Sequence, residues 1–179
     1  MGNAIGMIEF SSIARGIETS DYMIKAANVE LLKASTVCPG KYIVLIGGTT
    51  GDVKVSMAVG EKYSGEYLVD TLMIPNIHPQ LIPAICLTNQ VINPGAVGVL
   101  EFYSVASAIT AGDVAAKAAN ITLIEIKIGY SIGGKGVVIL TGDVGAVRTA
   151  VEAAKRESEL LVQTTVIPKP SPKLYETLL

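Results

Sequence analysis

Two segments near the start of this 179-residue chain return almost unchanged in its second half. The sequence AIGMIEF at 4–10 corresponds to AVGVLEF at 96–102. The sequence KAANV at 25–29 corresponds to KAANI at 117–121, at the same offset of 92 residues. A repeat of this period means that one structural unit occurs twice in the chain.

The duplication extends beyond those two segments. Between 4–32 and 96–124, 13 of the 29 aligned residues are identical, which is too many for shared secondary-structure preference alone. We therefore expect two like domains, at 1–90 and 91–179, each of roughly 90 residues.

The composition excludes several classes of protein. Half of the residues are hydrophobic, but no run approaches the roughly 18–20 uncharged apolar residues that span a bilayer, so no membrane partner is expected. The excess apolar surface favours large subunit interfaces. A net charge of -2 gives no basic footprint for nucleic acid. The two cysteines lie far apart and do not form the framework of a secreted protein. The start of the chain also lacks the basic and apolar regions of a signal peptide, so we expect a cytoplasmic protein.

Apolar periodicity and turn signals predict the same order of elements in both halves, strand-helix-strand-strand-helix-strand. Ser11 or Ser12, and Asp143, are candidate helix N-caps, and Pro39-Gly40 marks a turn between two strands. This order defines an α+β fold with two tandem ferredoxin-like domains. The expected strands are at 4–10, 29–37, 41–46, 68–75, a segment ending at 102, 121–128, 136–140 and 160–168. The expected helices are at 13–28, 52–63, 105–119 and 144–154. A linker is expected at 89–95 and includes Asn93.

The two halves differ most in the turn between their second and third strands. Lys41-Tyr42-Ile43-Val44 matches Lys135-Gly136-Val137-Val138 at an offset of 94 rather than 92, so the second turn is two residues longer. The first turn contains Cys38, whereas the second contains Gly133-Gly134.

Several motifs together resemble the bacterial microcompartment (BMC) shell domain. They are Gly-x-x-Glu in the first strand, KAANV after the first helix, LTGDVGAV at 140–147 and VIPKP at 166–170. The resemblance covers the whole chain, once per half. It implies a shell protein, not an enzyme, that forms a trimeric pseudohexamer, meets other shell proteins at its edges and lies in the microcompartment shell.

Within that family, the segment 36–41, TVCPGK, is similar to the pore loop of tandem-domain shell proteins of propanediol utilisation. That similarity implies one [4Fe–4S] cluster per trimer, on the threefold axis, with Cys38 from each chain as its metal ligand. The pore would then be lined by Val37, Cys38, Pro39, Gly40, Gly133 and Gly134. From the residues alone two alternatives stay open: Cys38 as a small packing residue, and Gly133-Gly134 as an ordinary turn.

Three lysines are candidate tile-edge residues by the same resemblance: Lys25, Lys117 and Lys169. For Lys25 and Lys117, a cation near a helix C-terminus also has a purely local explanation, because it offsets the helix dipole. At the closing motif the family's arginine is replaced by Asn76 in the first half and by Lys169 in the second. We therefore expect edge contacts that differ between the halves.

The remaining conspicuous residues have structural interpretations. Cys86 is expected to be a packing cysteine, and His78, the only histidine, a surface or hydrogen-bonded structural residue. Glu9 and Glu101 repeat at matching strand positions, which is typical of a fold or interface feature rather than of an acid–base pair.

Three functions fit this sequence. The leading one is a shell tile whose iron–sulfur centre passes electrons across the shell, to a redox partner, or senses redox state there. The second is a plain structural tile with a metabolite-conducting pore and no cluster. The third is a trimeric signalling protein of the nitrogen-regulatory type, which shares the element order but needs a long nucleotide-gripping loop that neither half supplies.

Overall fold

The computed structural model describes residues 2–92 and 94–178, so Asn93 of the predicted linker lies outside the described residues. The chain divides into two compact units, Met1–Ile77 and His78–Leu179. The first unit contains β1 (Ala4–Phe10), α1 (Ile13–Ala26), β2 (Glu30–Val37), β3 (Lys41–Gly48), α2 (Thr50–Ser64), a short 3-10 turn (Gly65–Tyr67) and β4 (Leu68–Ile74). The second contains α3 (Leu81–Ile85), β5 (Ala96–Phe102), α4 (Val105–Ala118), β6 (Ile121–Ile128), β7 (Gly136–Gly142), α5 (Val144–Ala154), a 3-10 turn (Lys155–Glu157), β8 (Leu161–Ile167) and α6 (Pro172–Leu178).

Each unit is built on a four-stranded antiparallel sheet. The strand order is β2-β3-β1-β4 in the first unit and β6-β7-β5-β8 in the second. Both sheets carry bulges at corresponding places, between Glu9 and Phe10 and between Glu101 and Phe102. The duplication predicted from sequence therefore includes the strand register, and the expected α+β fold is confirmed.

Apolar residues run almost continuously along β1 and β3, and both strands are buried. Every second side chain faces the helices of the first unit, because successive side chains of a strand point to opposite faces of the sheet. The core cluster on this face comprises Ala4, Ile8, Phe10, Met23, Val44, Ile46, Val53 and Met57. Gly6 lets α2 approach the sheet, since a Cβ atom there would lie 2.6 Å from Met57 Sδ. The identical Gly98 has the same role for α5, with a Cβ position 3.0 Å from both Val147 Cγ1 and Val151 Cγ2.

The helix starts follow the sequence signals in part. The Ser12 side chain accepts a hydrogen bond from the Arg15 backbone N–H, and Ser104 accepts one from Ser107 in the same way. Both N-caps satisfy a backbone donor that has no partner inside the helix. Asp143 occupies the N-cap position of α5, but its side chain makes no capping hydrogen bond.

Two short helices, α3 and α6, are not predicted from the sequence. The α3 segment belongs to the second unit, so the division after Ile77 differs from the boundary predicted at residue 90. His78 donates its backbone N–H to Asp113 of α4 over 2.6 Å, and the Gln80 side chain bonds β6 at Ile121 and Leu123. These contacts fix the segment before the linker onto the second sheet.

The C-terminal helix α6 covers the sheet face opposite α4 and α5. Tyr175 and Leu178 pack there against Val97, Ile124 and Ile139. The Tyr175 hydroxyl also donates to the Gly95 carbonyl. Among the described residues, no helix is both long enough and apolar enough to cross a bilayer.

Candidate functional site

Cys38 lies at the tip of the tight turn that joins β2 to β3. The turn is closed by a hydrogen bond from the Gly40 N–H to the Val37 carbonyl, 3.1 Å long. Gly40 has φ +89°, a left-handed conformation that favours glycine, and nothing lies within 4 Å of its Cβ position. Val37 is buried, Cys38 is half-buried, and Pro39 and Gly40 are exposed. The Cys38–Pro39 peptide bond is cis.

The second unit has a longer turn at the corresponding place. The Gly129 N–H donates to the Lys135 carbonyl over 3.0 Å, and the Lys135 N–H donates to the Ile132 carbonyl over 3.3 Å. Gly133 and Gly134 both have positive φ. Tyr130 projects from this turn and is 76% exposed. The first turn thus carries the thiol of Cys38, whereas the second carries the phenol of Tyr130 and two glycines.

A lysine–glutamate ion pair anchors the base of each turn. Lys41 follows the Cys38 turn and pairs with Glu9 of β1, and Lys135 follows the second turn and pairs with Glu101 of β5 over 2.8 Å. Glu9 lies opposite Ile43 in the ladder between β1 and β3. Lys41 comes two residues before Ile43, so its side chain lies on the same face of the sheet and reaches Glu9. The repeated glutamates are fold features, as the sequence indicated.

The two anchors differ in burial. The Glu9 side chain is only 2% exposed, whereas that of Glu101 is 32% exposed. The hydrogen bond that Lys135 donates to Glu101 raises the pKa of this lysine above its ordinary value, and the negative charge of Glu101 adds to the effect. The Lys135 ammonium also lies 5.8 Å from the centre of the Tyr103 ring.

Metal binding within one chain has no support in the structure. Among residues 2–92 and 94–178, no group of three or more histidine, cysteine, aspartate or glutamate side chains could hold a metal ion. Cys38 therefore offers a single thiolate per chain, on a side chain that solvent reaches. Thiolate is the usual protein ligand of iron–sulfur clusters. The donor fits such a cluster only where several copies bring their Cys38 turns together.

The predicted tile-edge lysines lie at three separate places. Lys25 pairs with Asp21 in the last turns of α1, and Lys117 pairs with Asp113 in α4. Lys169 is exposed just after β8. The Lys25–Asp21 and Lys117–Asp113 pairs occupy matching positions in the two halves. Of the two aspartates only Asp113 is buried, because the segment that leads into α3 covers it.

Cys86 is not a packing residue, so that prediction is wrong. It is exposed at the C-terminus of α3, since the buried side of this short helix is taken by Leu81, Ala84 and Ile85. His78 has the structural role that was expected, because its Nδ1 atom accepts a hydrogen bond from the Gln80 backbone N–H over 3.3 Å.

The comparison with known families agrees with this architecture. The BMC domain family matches residues 4–77 and, separately, residues 96–170. The chain therefore belongs to the BMC domain family, with two BMC domains in tandem, and the resemblance seen in the sequence is confirmed.

Individual relatives extend over almost the whole chain. The bacterial microcompartment shell protein PduT of Citrobacter freundii is 44% identical over 178 residues, covering 98% of this chain and 97% of that protein. The carboxysome assembly protein CcmO of Synechococcus elongatus is 28% identical and covers 98% of this chain and 68% of its own length. A crystal structure of a microcompartment protein from Desulfitobacterium hafniense matches with a TM-score of 0.91 at 45% identity, over 97% of this chain and 98% of that one.

Proposed function

We propose that this chain is a microcompartment shell tile that binds one [4Fe–4S] cluster through Cys38 of three copies. The observation that carries the proposal is the position of Cys38, which lies half-buried beside the exposed Pro39 and Gly40 in the shorter of two otherwise duplicated turns. The 44% identity to a shell protein over nearly the full length of both chains supports the shell role.

The number of thiolates follows from the duplication. Each chain supplies two BMC domains but one Cys38, so a ring of six domains built from three chains contains three such turns. Three of the four iron atoms would then have a protein ligand, and the fourth would be ligated by solvent, a small thiol or a partner. When bound, the cluster supplies one-electron transfer, for passage of electrons across the shell or for redox sensing there.

The rest of the tile serves assembly. Lys25, Lys117 and Lys169 are proposed to meet neighbouring shell proteins at the tile edge, with different geometry in the two halves because Asp21 is exposed and Asp113 is buried. The turn with Gly133 and Gly134 would form the rim around the Cys38 turns. Localisation in the shell follows from this assembly.

The test is metal analysis of protein purified without oxygen. We expect a brown trimer that contains four irons and four sulfides, and a colourless trimer for Cys38→Ser. Cys86→Ser is the matched control, since Cys86 is the other free thiol and should be dispensable. A wild-type trimer that stays colourless after careful reconstitution would favour the plain structural tile.

A further inference from the structure

The α1 side of the first unit carries an apolar stripe that the described residues of the chain leave partly exposed. Ile13, Ile17 and Ile24 lie on one face of α1, at intervals of four and seven residues, and Leu31 of β2 follows. These four side chains are between 37% and 55% exposed. We infer that this stripe is the surface on which a second copy of the chain docks. The inference rests on the proposed trimer and assigns its contact surface.

The duplicated half shows that this surface is built to be covered. The residues 92 positions later are Val105, Ile109, Ala116 and Leu123, and their exposed fractions range from 0% to 8%. The correspondence is structural as well as sequential, because α4 begins after Ser104 as α1 begins after Ser12. The β2 and β6 ladders also shift register next to Leu31 and Leu123. The same kind of side chain is thus buried in one unit and exposed in the other.

The neighbouring sheet edges show the same difference. β6 is an edge strand whose backbone is satisfied by side-chain amides: Gln80 bonds Ile121 and Leu123, and Asn89 Nδ2 donates to the Leu123 carbonyl over 2.8 Å. β2 is the corresponding edge strand, and its first two residues, Glu30 and Leu31, are exposed. An uncovered edge strand beside an apolar stripe favours a protein partner over solvent.

A second copy is the partner that these observations favour. The stripe of one unit is buried in the folded chain and that of its twin is left exposed, as expected if the twin's cover comes from the next chain in a ring. A contact between unlike surfaces on identical chains closes into a ring when the rotation permits. The charges that flank the stripe are balanced, since Arg15 pairs with Glu18 and Lys25 pairs with Asp21. No excess of basic side chains therefore favours an anionic membrane surface.

The experiment is a charge substitution in the stripe with a matched control outside it. Ile17→Glu should convert the trimer to a monomer of 18.7 kDa, measured by sedimentation or light scattering. Because Ile17 is already 55% exposed, the monomer should keep its far-ultraviolet circular dichroism. Val55→Glu makes the same change at a 50% exposed position on α2 and should leave the trimer intact.

Hydrogen exchange provides a second readout that does not depend on a variant folding. Amides of β2 should exchange more slowly in the wild-type trimer than at dilutions where it dissociates. A trimer that survives both Ile17→Glu and Leu31→Glu would overturn the inference and leave the trimer itself standing. A wild-type dimer joined through two α1 stripes would overturn both the inferred contact between unlike surfaces and the trimer. A wild-type protein that is monomeric at all concentrations would instead refute the trimer of the proposed function.

Discussion

Lys41 forms an ion pair with Glu9, and the pair ties the base of the Cys38 turn to the buried strand β1. The twin pair, Lys135 with Glu101, holds the second turn in the same way but is more exposed. A glutamate that is 2% exposed depends strongly on its one cationic partner, because an unpaired buried charge is costly. Loss of the lysine should therefore disturb the turn that carries the thiol more than its twin.

Replacing Lys41 should destabilise the protein more than replacing Lys135. Removing one partner of a buried pair typically costs about 3–5 kcal/mol, and we expect Lys41→Met to fall near the lower end because Lys41 is partly exposed. Lys135→Met, the matched control in the twin pair, should cost clearly less. Denaturant unfolding of both variants measures this difference. Equal losses would contradict the role that we assign to the burial of Glu9.

The accessibility of Cys38 should depend on cluster binding. In apo protein both thiols are reachable, since Cys38 is half-buried and Cys86 is exposed. We expect a maleimide to label two sites per chain in the apo protein and only Cys86 after anaerobic reconstitution, as counted by mass spectrometry. Labelling of Cys38 to the same extent before and after reconstitution would speak against it as a ligand.

The Lys135–Glu101 pair should give a pH-dependent contribution to stability. Its hydrogen bond raises the pKa of Lys135 above 10.5, so the contribution is fully present below that pH and is lost as the pH rises through the raised pKa. Glu101→Gln should return the pKa of Lys135 toward 10.5, which an NMR titration of the lysine side chain can follow. An unchanged titration would show that Glu101 does not hold this ammonium.

The close approach of helix and sheet at Gly98 should tolerate no side chain. A Cβ atom there lies 2.8 Å from Leu140 Cδ1 and 3.0 Å from Val147 Cγ1, so Gly98→Ala should cost about 1–3 kcal/mol by overpacking. Gly145→Ala is the control, because Gly145 is exposed in α5 with nothing within 4 Å of its Cβ position. This control should not destabilise the protein, because alanine favours the helix over glycine. A neutral Gly98→Ala would contradict the packing described for the second unit.

Most of the fold could be predicted because the sequence is duplicated. β1 and β6 have the bounds that were expected, and the shared glycines at 6 and 98 mark the same close packing. α3 and α6 were missed because each is short and is held by tertiary contacts, such as Gln80 on β6 and Tyr175 on the sheet, rather than by a long periodic pattern.

The site could be predicted only in part. Cys38 could be chosen as the candidate ligand from its turn and from the family resemblance, whereas the exposure of Cys86 depends on which side of α3 faces the sheet. The Lys41–Glu9 pair was missed, although the repeat contained a signal for it. Lys41 and Lys135 align with each other, as do Glu9 and Glu101, and an antiparallel register would have brought each pair together.

The most direct test of the central claim is native mass spectrometry of the anaerobically purified protein. We predict an assembly of three chains that carries the added mass of a single [4Fe–4S] cluster, and a Cys38→Ser assembly of three chains without it. Three chains with no added mass after full reconstitution, or a cluster retained by Cys38→Ser, would contradict the account.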